Sequence, residues 1–223
     1  MTSWIMVALL GGFVGLDTTS FPQAMFSRPL VAGALTGAIF GRPTEGLIVG
    51  FIMEAYSLLV LPIGASRYPE SGTATVAAAS AYVVTTPGAF EPGTLAMVVG
   101  FALAWEWLGG GTVVVLRRTN GRILRAGVGT TARELERGHV AAMALDFIRG
   151  GVVAVTGGLI AAGLLRLAAP VWALGPGTTM AALAVLTAAM IGTAVPLFGG
   201  VQARRVTLVI GLGVGFILAA VLP

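Results

Sequence analysis

Apolar residues fall in eight runs along the chain, at Trp4–Leu16, Pro29–Phe40, Gly46–Ala65, Gly72–Thr86, Leu95–Leu116, Gly150–Leu165, Met180–Phe198 and Val206–Leu222. Short polar or basic breaks separate them. A helix that crosses a bilayer needs about 20 apolar residues, so the pattern predicts an all-α, polytopic integral membrane bundle of roughly seven to nine spans or half-spans. The runs of 13 residues at Trp4–Leu16 and 12 at Pro29–Phe40 are too short to cross alone and predict re-entrant or broken helices. Non-helical backbone at membrane depth is tolerated only where protein or water satisfies its polar groups, and such breaks line sites in transporters. The first seventy residues are therefore where a site is expected.

Composition supports a membrane domain and excludes a soluble one. Hydrophobic residues make up 57% of the 223 and charged residues 10%, with a mean hydropathy of +0.95; soluble domains carry about 25% charged residues. Little chain remains for anything else, so residues 1–223 are expected to form a single membrane-embedded domain. The N-terminus lacks the basic stretch of a cleavable signal and reads as mature sequence. The formal charge is +4, and all 13 basic residues are arginine. Arginine excess on a membrane protein reports orientation through the positive-inside rule, so no nucleic-acid partner is needed. The chain has no cysteine, which excludes disulfides and thiolate chemistry.

Seven arginines lie between Arg117 and Arg149, against Glu134, Glu136 and Asp146. This predicts a basic cytoplasmic loop at about 117–149. Within it, Thr131–Ile148 fits an amphipathic helix with Thr131 as its cap, either lying on the membrane surface or docking a soluble partner. Small-xxx-small spacings at Gly33/Gly37/Gly41, Gly46/Gly50 and Gly211/Gly215 allow close helix approach.

One charge interrupts the lipid-grade sequence. Glu54 stands inside the run Gly46–Ala65, where an ionisable side chain costs roughly 2.5–3.5 kcal/mol and so faces a cavity or a partner. Its two readings are a substrate group, facing a polar cavity with the Gly64–Ser66 turn, and a structural pair with Arg28 or Arg67. Both can hold at once. The other polar groups near apolar runs are Asp17, Thr18, Thr19, Ser20, Gln23 and Arg28, then Ser66, Arg67 and Glu70. Short carboxylates and amides suit a polyol, because paired acceptors and donors replace the water its hydroxyls lose. Glu106, between Trp105 and Trp107, reads as the interfacial end of a helix in an aromatic belt. Arg166 reads as snorkelling to the surface. No catalytic constellation is recognisable: the lone histidine, His139, lies in the basic segment, GGG at Gly109–Gly111 lacks the rest of a phosphate loop, and no metal cluster is visible. Neither a catalytic residue nor a cofactor is expected.

The central run resembles enzyme IIC, the sugar-channel subunit of mannose-family (mannose, fructose, sorbose) bacterial phosphotransferase systems. The resemblance rests on Gly37, Gly41, Arg42, Gly46, Leu47, Ile48, Gly50, Phe51 and Glu54, preceded by Arg28-Pro29-Leu30 and followed by Ile63-Gly64-Ala65 and Pro69-Glu70. It is close over Asp17–Thr75. Arg42 replaces the family's usual Asp, Asn or His, Phe51 replaces its second Gly, and Pro62 stands at a common polar position. The resemblance implies a sugar permease subunit of the bacterial cytoplasmic membrane, in an oligomer with a homologous IID membrane subunit. Soluble IIA and IIB proteins would relay phosphate to a hexose-type sugar. It further implies that Glu54, Gly64 and Ala65 line the sugar site, that Gln23 and Arg28 support it, and that Glu70 takes the place of the usual Asp. Asp17 and Ser66 join them from the inventory of polar groups. A divergent non-transport scaffold or sensor of the same fold is the alternative reading.

Overall fold

The computed structural model describes residues 1–60, 67–126, 131–211 and 213, and among them no strand occurs. The helices are α1 (Thr2–Thr19), α2 (Pro29–Ile39), α3 (Pro43–Ser57), α4 (Ser71–Thr85), α5 (Pro92–Ala126), α6 (Ala132–Ala168), α7 (Pro176–Ala194) and α8 (Gly200–Ala203). Among the described residues four segments are long and apolar enough to cross a bilayer: Thr2–Thr19, Pro92–Arg122, Ala132–Val171 and Pro176–Phe198. The first corrects the expectation of a broken helix, because Asp17, Thr18 and Thr19 continue the helix to 18 residues. Thr18 fits there by donating its hydroxyl to Val14 O at 2.9 Å.

The short helix expected at Pro29–Phe40 is observed as α2, whereas α3 stops at Ser57, inside the run Gly46–Ala65. α2 and α3, of 11 and 15 residues, form a hairpin of half-spans. Proline opens each of them, at Pro29 and Pro43, where its missing N–H is harmless and its fixed φ favours the first helical turn. Gly41 makes the turn between them at φ +72°, a backbone region that L side chains rarely adopt. The two helices touch along glycines: a Cβ on Gly46 would lie 2.7 Å from Gly37 Cα, and one on Gly33 would lie 2.7 Å from Gly50 Cα. Arg42 pins the hairpin tip to the end of α4, donating to Val83 O at 3.1 Å, Thr86 O, and Ala89 O at 3.3 Å, while its Nε bonds Glu45 at 2.9 Å. Those carbonyls lie where a helix C-terminus leaves acceptors unpaired.

α1 packs on α6 in the same manner, Gly15 meeting Gly150 so closely that a Cβ would stand 2.9 Å from its Cα. α4 occupies the centre, buried without interruption from Gly72 to Val83. Its alanines and hydroxyl residues are small enough to let five helices surround it. The aliphatic core fills the space between α3, α4, α5 and α6, with Met53, Tyr82, Leu95, Val98 and Leu165 among its buried members.

The basic segment is helical over most of its length. α5 runs on to Ala126 and α6 begins at Ala132, where Thr131 and Glu134 form the capping box, Thr131 N–H donating to Glu134 Oε2 at 3.0 Å. The expected helix start at Thr131 is therefore observed. Its expected end and surface placement are not, since the helix continues through Ile148 to Ala168. At 1.5 Å per residue α6 is about 55 Å long, well beyond the roughly 30 Å hydrocarbon core. Asp146 and Arg149, counted by sequence among the loop charges, are buried in the bundle and give the helix no reason to break.

The glycine seam makes a direct prediction. Gly46→Val forces a branched side chain against the Gly37 backbone and should cost about 3 kcal/mol or more. The melting midpoint of the solubilised protein should then fall by roughly 6–12 °C. Gly100, whose added Cβ would meet nothing within 4 Å, should accept alanine with a change of about 0.5 kcal/mol or less.

Candidate functional site

Four helix ends meet at one level: the C-termini of α1 and α3 and the N-termini of α2 and α4. Between them lies a cavity of about 260 Å³, with polar lining from Asp17, Gln23, Arg28, Ser57 and Ser71. Asp17 shapes one wall. Its buried carboxylate accepts from Ala24 N–H at 2.6 Å and Ser27 N–H at 2.8 Å, folding residues 20–28 back across the end of α1. Gln23 and Met25 take positive φ values of 58° and 67° in that crossing, and both face the cavity.

Glu54 forms an ion pair with Arg28, and its second oxygen accepts from Leu30 N–H at 3.2 Å. The carboxylate thus satisfies an otherwise unpaired donor in the first turn of α2. The glutamate side chain is 18% exposed and the arginine 42%, and it is the arginine that reaches the cavity. Of the two candidate cations, Arg67 lies elsewhere, donating to Trp107 O at 2.8 Å.

Beside the cavity is a buried ion cluster that sequence reasoning missed. Arg149 grips both oxygens of Glu70 at 2.7 Å, bonds Asp146 Oδ1 at 3.0 Å through Nε, and bonds Thr112 Oγ1 at 3.0 Å. Asp146 in turn accepts from Thr19 and, at 2.9 Å, from Ser20. One guanidinium therefore links α1, α4, α5 and α6. Glu106 is also buried, contrary to its expected interfacial position. Ser71 Oγ donates to its Oε2 at 2.8 Å and Glu70 N–H to its main-chain oxygen at 2.9 Å, fixing the start of α4 to α5. Trp105 points inward as well, donating to Val153 O at 3.1 Å, whereas Trp107 is exposed. A sequence signal for the cluster existed in Asp146 and Arg149, spaced three apart and followed directly by Gly150-Gly151 and an apolar run.

The structure thus brings Asp17, Gln23 and Arg28 to the cavity and Glu54 to Arg28. It does not bring Glu70, which is fully buried with both oxygens held by Arg149. Gly64, Ala65 and Ser66 lie outside the described residues. Val60 and Tyr68, on either side of that segment, both line the cavity.

The sequence matches the family model described as the sorbose-specific IIC component of the phosphotransferase system over residues 1–222. The chain belongs to this family. A IIC component is the membrane sugar-translocating subunit of such a system. Two solved structures share its fold. One, a membrane protein, has a TM-score of 0.71 at 17% identity, covering 99% of this chain and 87% of the other. The second is the mannose transporter ManYZ in complex with microcin E492, with a TM-score of 0.62 at 18% identity, covering 100% of this chain and 87% of the other. No curated protein sequence matches the chain.

In this IIC component the cavity can hold a small polar solute but has no group placed for covalent chemistry among the residues described around it. Its integrity depends on Asp17. Asp17→Ala removes the acceptor for two main-chain donors, each worth about 1.5–3 kcal/mol when the acceptor is charged. Residues 20–28 should then exchange amide hydrogens at least tenfold faster, while protection in α4 stays unchanged; equal exchange in both proteins would mean that Asp17 does not hold the wall.

Proposed function

We propose that this IIC subunit binds a hexose-type sugar in the cavity between α1, α2, α3 and α4 and passes it across the bacterial cytoplasmic membrane. In this reading Asp17, Gln23, Arg28 and Glu54 hold the sugar or orient the groups that do, and Gly64, Ala65 and Ser66 contribute from the segment between Val60 and Tyr68. The observation that carries the reading is the convergence of polar groups from four helix ends on one cavity of monosaccharide scale, at the level where the apolar helices break.

Phosphate reaches the sugar from other chains. His139 is exposed on the part of α6 that extends beyond the bundle, which suits a solvated residue better than a phosphate carrier. We therefore assign the phosphorylated groups to soluble IIA and IIB proteins and a share of the sugar path to a homologous IID membrane subunit. α7 supports such an assembly: of its 19 residues only Thr179, Leu183, Thr187 and Ala194 are buried in the isolated chain. Accumulation follows because phosphorylation withdraws sugar from the transport equilibrium.

Glu54→Gln tests the site. Glutamine can still accept from Leu30 N–H through its one carbonyl oxygen, which holds the start of α2, but its amide NH2 replaces the oxygen facing Arg28, so Arg28 loses its counter-charge and its acceptor. Sugar affinity, read from uptake by membranes holding the chain with its partner subunits, should fall about tenfold, or 1.4 kcal/mol. Unchanged affinity in a folded variant would remove Glu54 from the site.

A further inference from the structure

The turn that follows α7 joins a pair of cations to an apolar groove. α7 ends at Ala194, Val195–Phe198 form a 3-10 turn that includes Pro196, and Gly199 and Gly200 take positive φ values of 92° and 77°. The chain folds back there. Residues 205–211 are helical again, and Thr207 and Leu208 from that stretch line a groove of about 300 Å³ together with Ile191, Val195 and Phe198. Leu58, just past α3, lines it as well. Arg204 lines the same groove, and its Nε donates to Phe198 O at 3.0 Å, which fixes the guanidinium beside the apolar wall.

The charge at this turn has no counterpart in the chain. Asp146 is the last acidic residue of the sequence, so nothing from residue 147 to 223 can neutralise Arg204 and Arg205. Neither forms an ion pair among the described residues. Both are exposed. α6 crosses away from the basic segment and α7 returns, so the two arginines lie on the side of the bundle where α6 begins, between the apolar runs Met180–Phe198 and Val206–Leu222. That is the boundary between hydrocarbon and water on the basic side, where an anionic leaflet attracts arginine.

We propose that this groove holds one anionic phospholipid, its acyl chain along Ile191, Phe198 and Leu208 and its phosphate against Arg204 and Arg205. Magnitude decides between a lipid and a partner helix. A single helical turn, about 10 Å across and 5.4 Å tall, already exceeds the volume of the groove, whereas a hydrocarbon chain is narrow enough to enter. Peptide groups would also need hydrogen-bond partners, which an apolar wall cannot give and an acyl chain does not require. The headgroup then supplies the negative charge that the chain itself lacks here.

The test is native mass spectrometry of the full chain, purified in detergent and supplied with phosphatidylglycerol or with phosphatidylcholine of identical acyl chains. One phosphatidylglycerol should stay bound with a preference of about 30-fold, or 2 kcal/mol, the scale set by two arginines beside an anionic headgroup. Replacing both cations, Arg204→Gln with Arg205→Gln, should bring the two lipids within about threefold of each other. Arg205→Gln alone, at an exposed position with no bond to lose, should cut the preference about fivefold and serves if the double variant does not fold. Thr207→Trp, which fills the groove from an exposed position, should weaken both lipids at least about fivefold. Equal retention of the two lipids, a preference unmoved in folded arginine variants, or both lipids unweakened by Thr207→Trp would overturn the proposal. Displacement of the lipid by an equal concentration of glycerol 3-phosphate would reduce the site to a plain anion site and overturn it too. So would loss of the lipid when the chain assembles with its membrane partner, since the partner would then be what fills the groove.

Discussion

Arg149 is the constraint on which the rest of the bundle depends. A buried guanidinium is tolerated only if its donors are matched, because the cost of removing two ions from water can exceed their mutual attraction. Here the planar fork meets both oxygens of Glu70, and its other donors reach Asp146 and Thr112. Arginine's geometry suits this bidentate arrangement better than a point charge would. Because Asp146 also accepts from Thr19 and Ser20, the end of α1 and the start of α4 are held at one level on α6. The cavity is the space that remains beside this cluster, where helices stop and their polar ends are left to face one another.

Packing of small residues carries the second part of the architecture. Apolar side chains gain little by leaving lipid for protein, so helices in a bilayer associate through close contact of small residues and through polar bonds. Gly33 and Gly37 against Gly46 and Gly50 close the α2–α3 hairpin, and Gly11 and Gly15 against Gly150 seat α1 on α6. Arg42 then ties the hairpin tip to the carbonyls at the end of α4. This is the residue at which the chain departs from its family's usual Asp, Asn or His. A long cation that reaches three main-chain oxygens is a structural use of that position.

Much of this was legible in the sequence because its signals are local. Hydropathy gives the helices, the short apolar run at Pro29–Phe40 gives the half-span α2, and Thr131 gives the start of α6. Glu54 stands out because a lone carboxylate in an apolar run has few explanations, and pairing with Arg28 is one of them. What failed depended on distant partners. Asp146 and Arg149 look like ends of a basic loop until Glu70, 79 residues from Arg149, is placed beside them. Glu70 was drawn to the sugar site by its family position, yet Arg149 holds both its oxygens. Glu106 was misplaced for the same reason, since neighbouring tryptophans suggest an interface and only the contact with Ser71 shows burial.

The central claim is that Arg149 and Glu70 stabilise the fold as a unit. It is tested most directly by a double-mutant cycle of Arg149→Met and Glu70→Met, read as the melting midpoint of the solubilised chain. Arg149→Met alone leaves two buried carboxylates without their cation and should cost about 3–5 kcal/mol. Adding Glu70→Met removes one of those stranded charges, so the double variant should be more stable than the Arg149 single variant. Additive losses in the double variant, or an Arg149→Met protein as stable as the parent, would contradict the account.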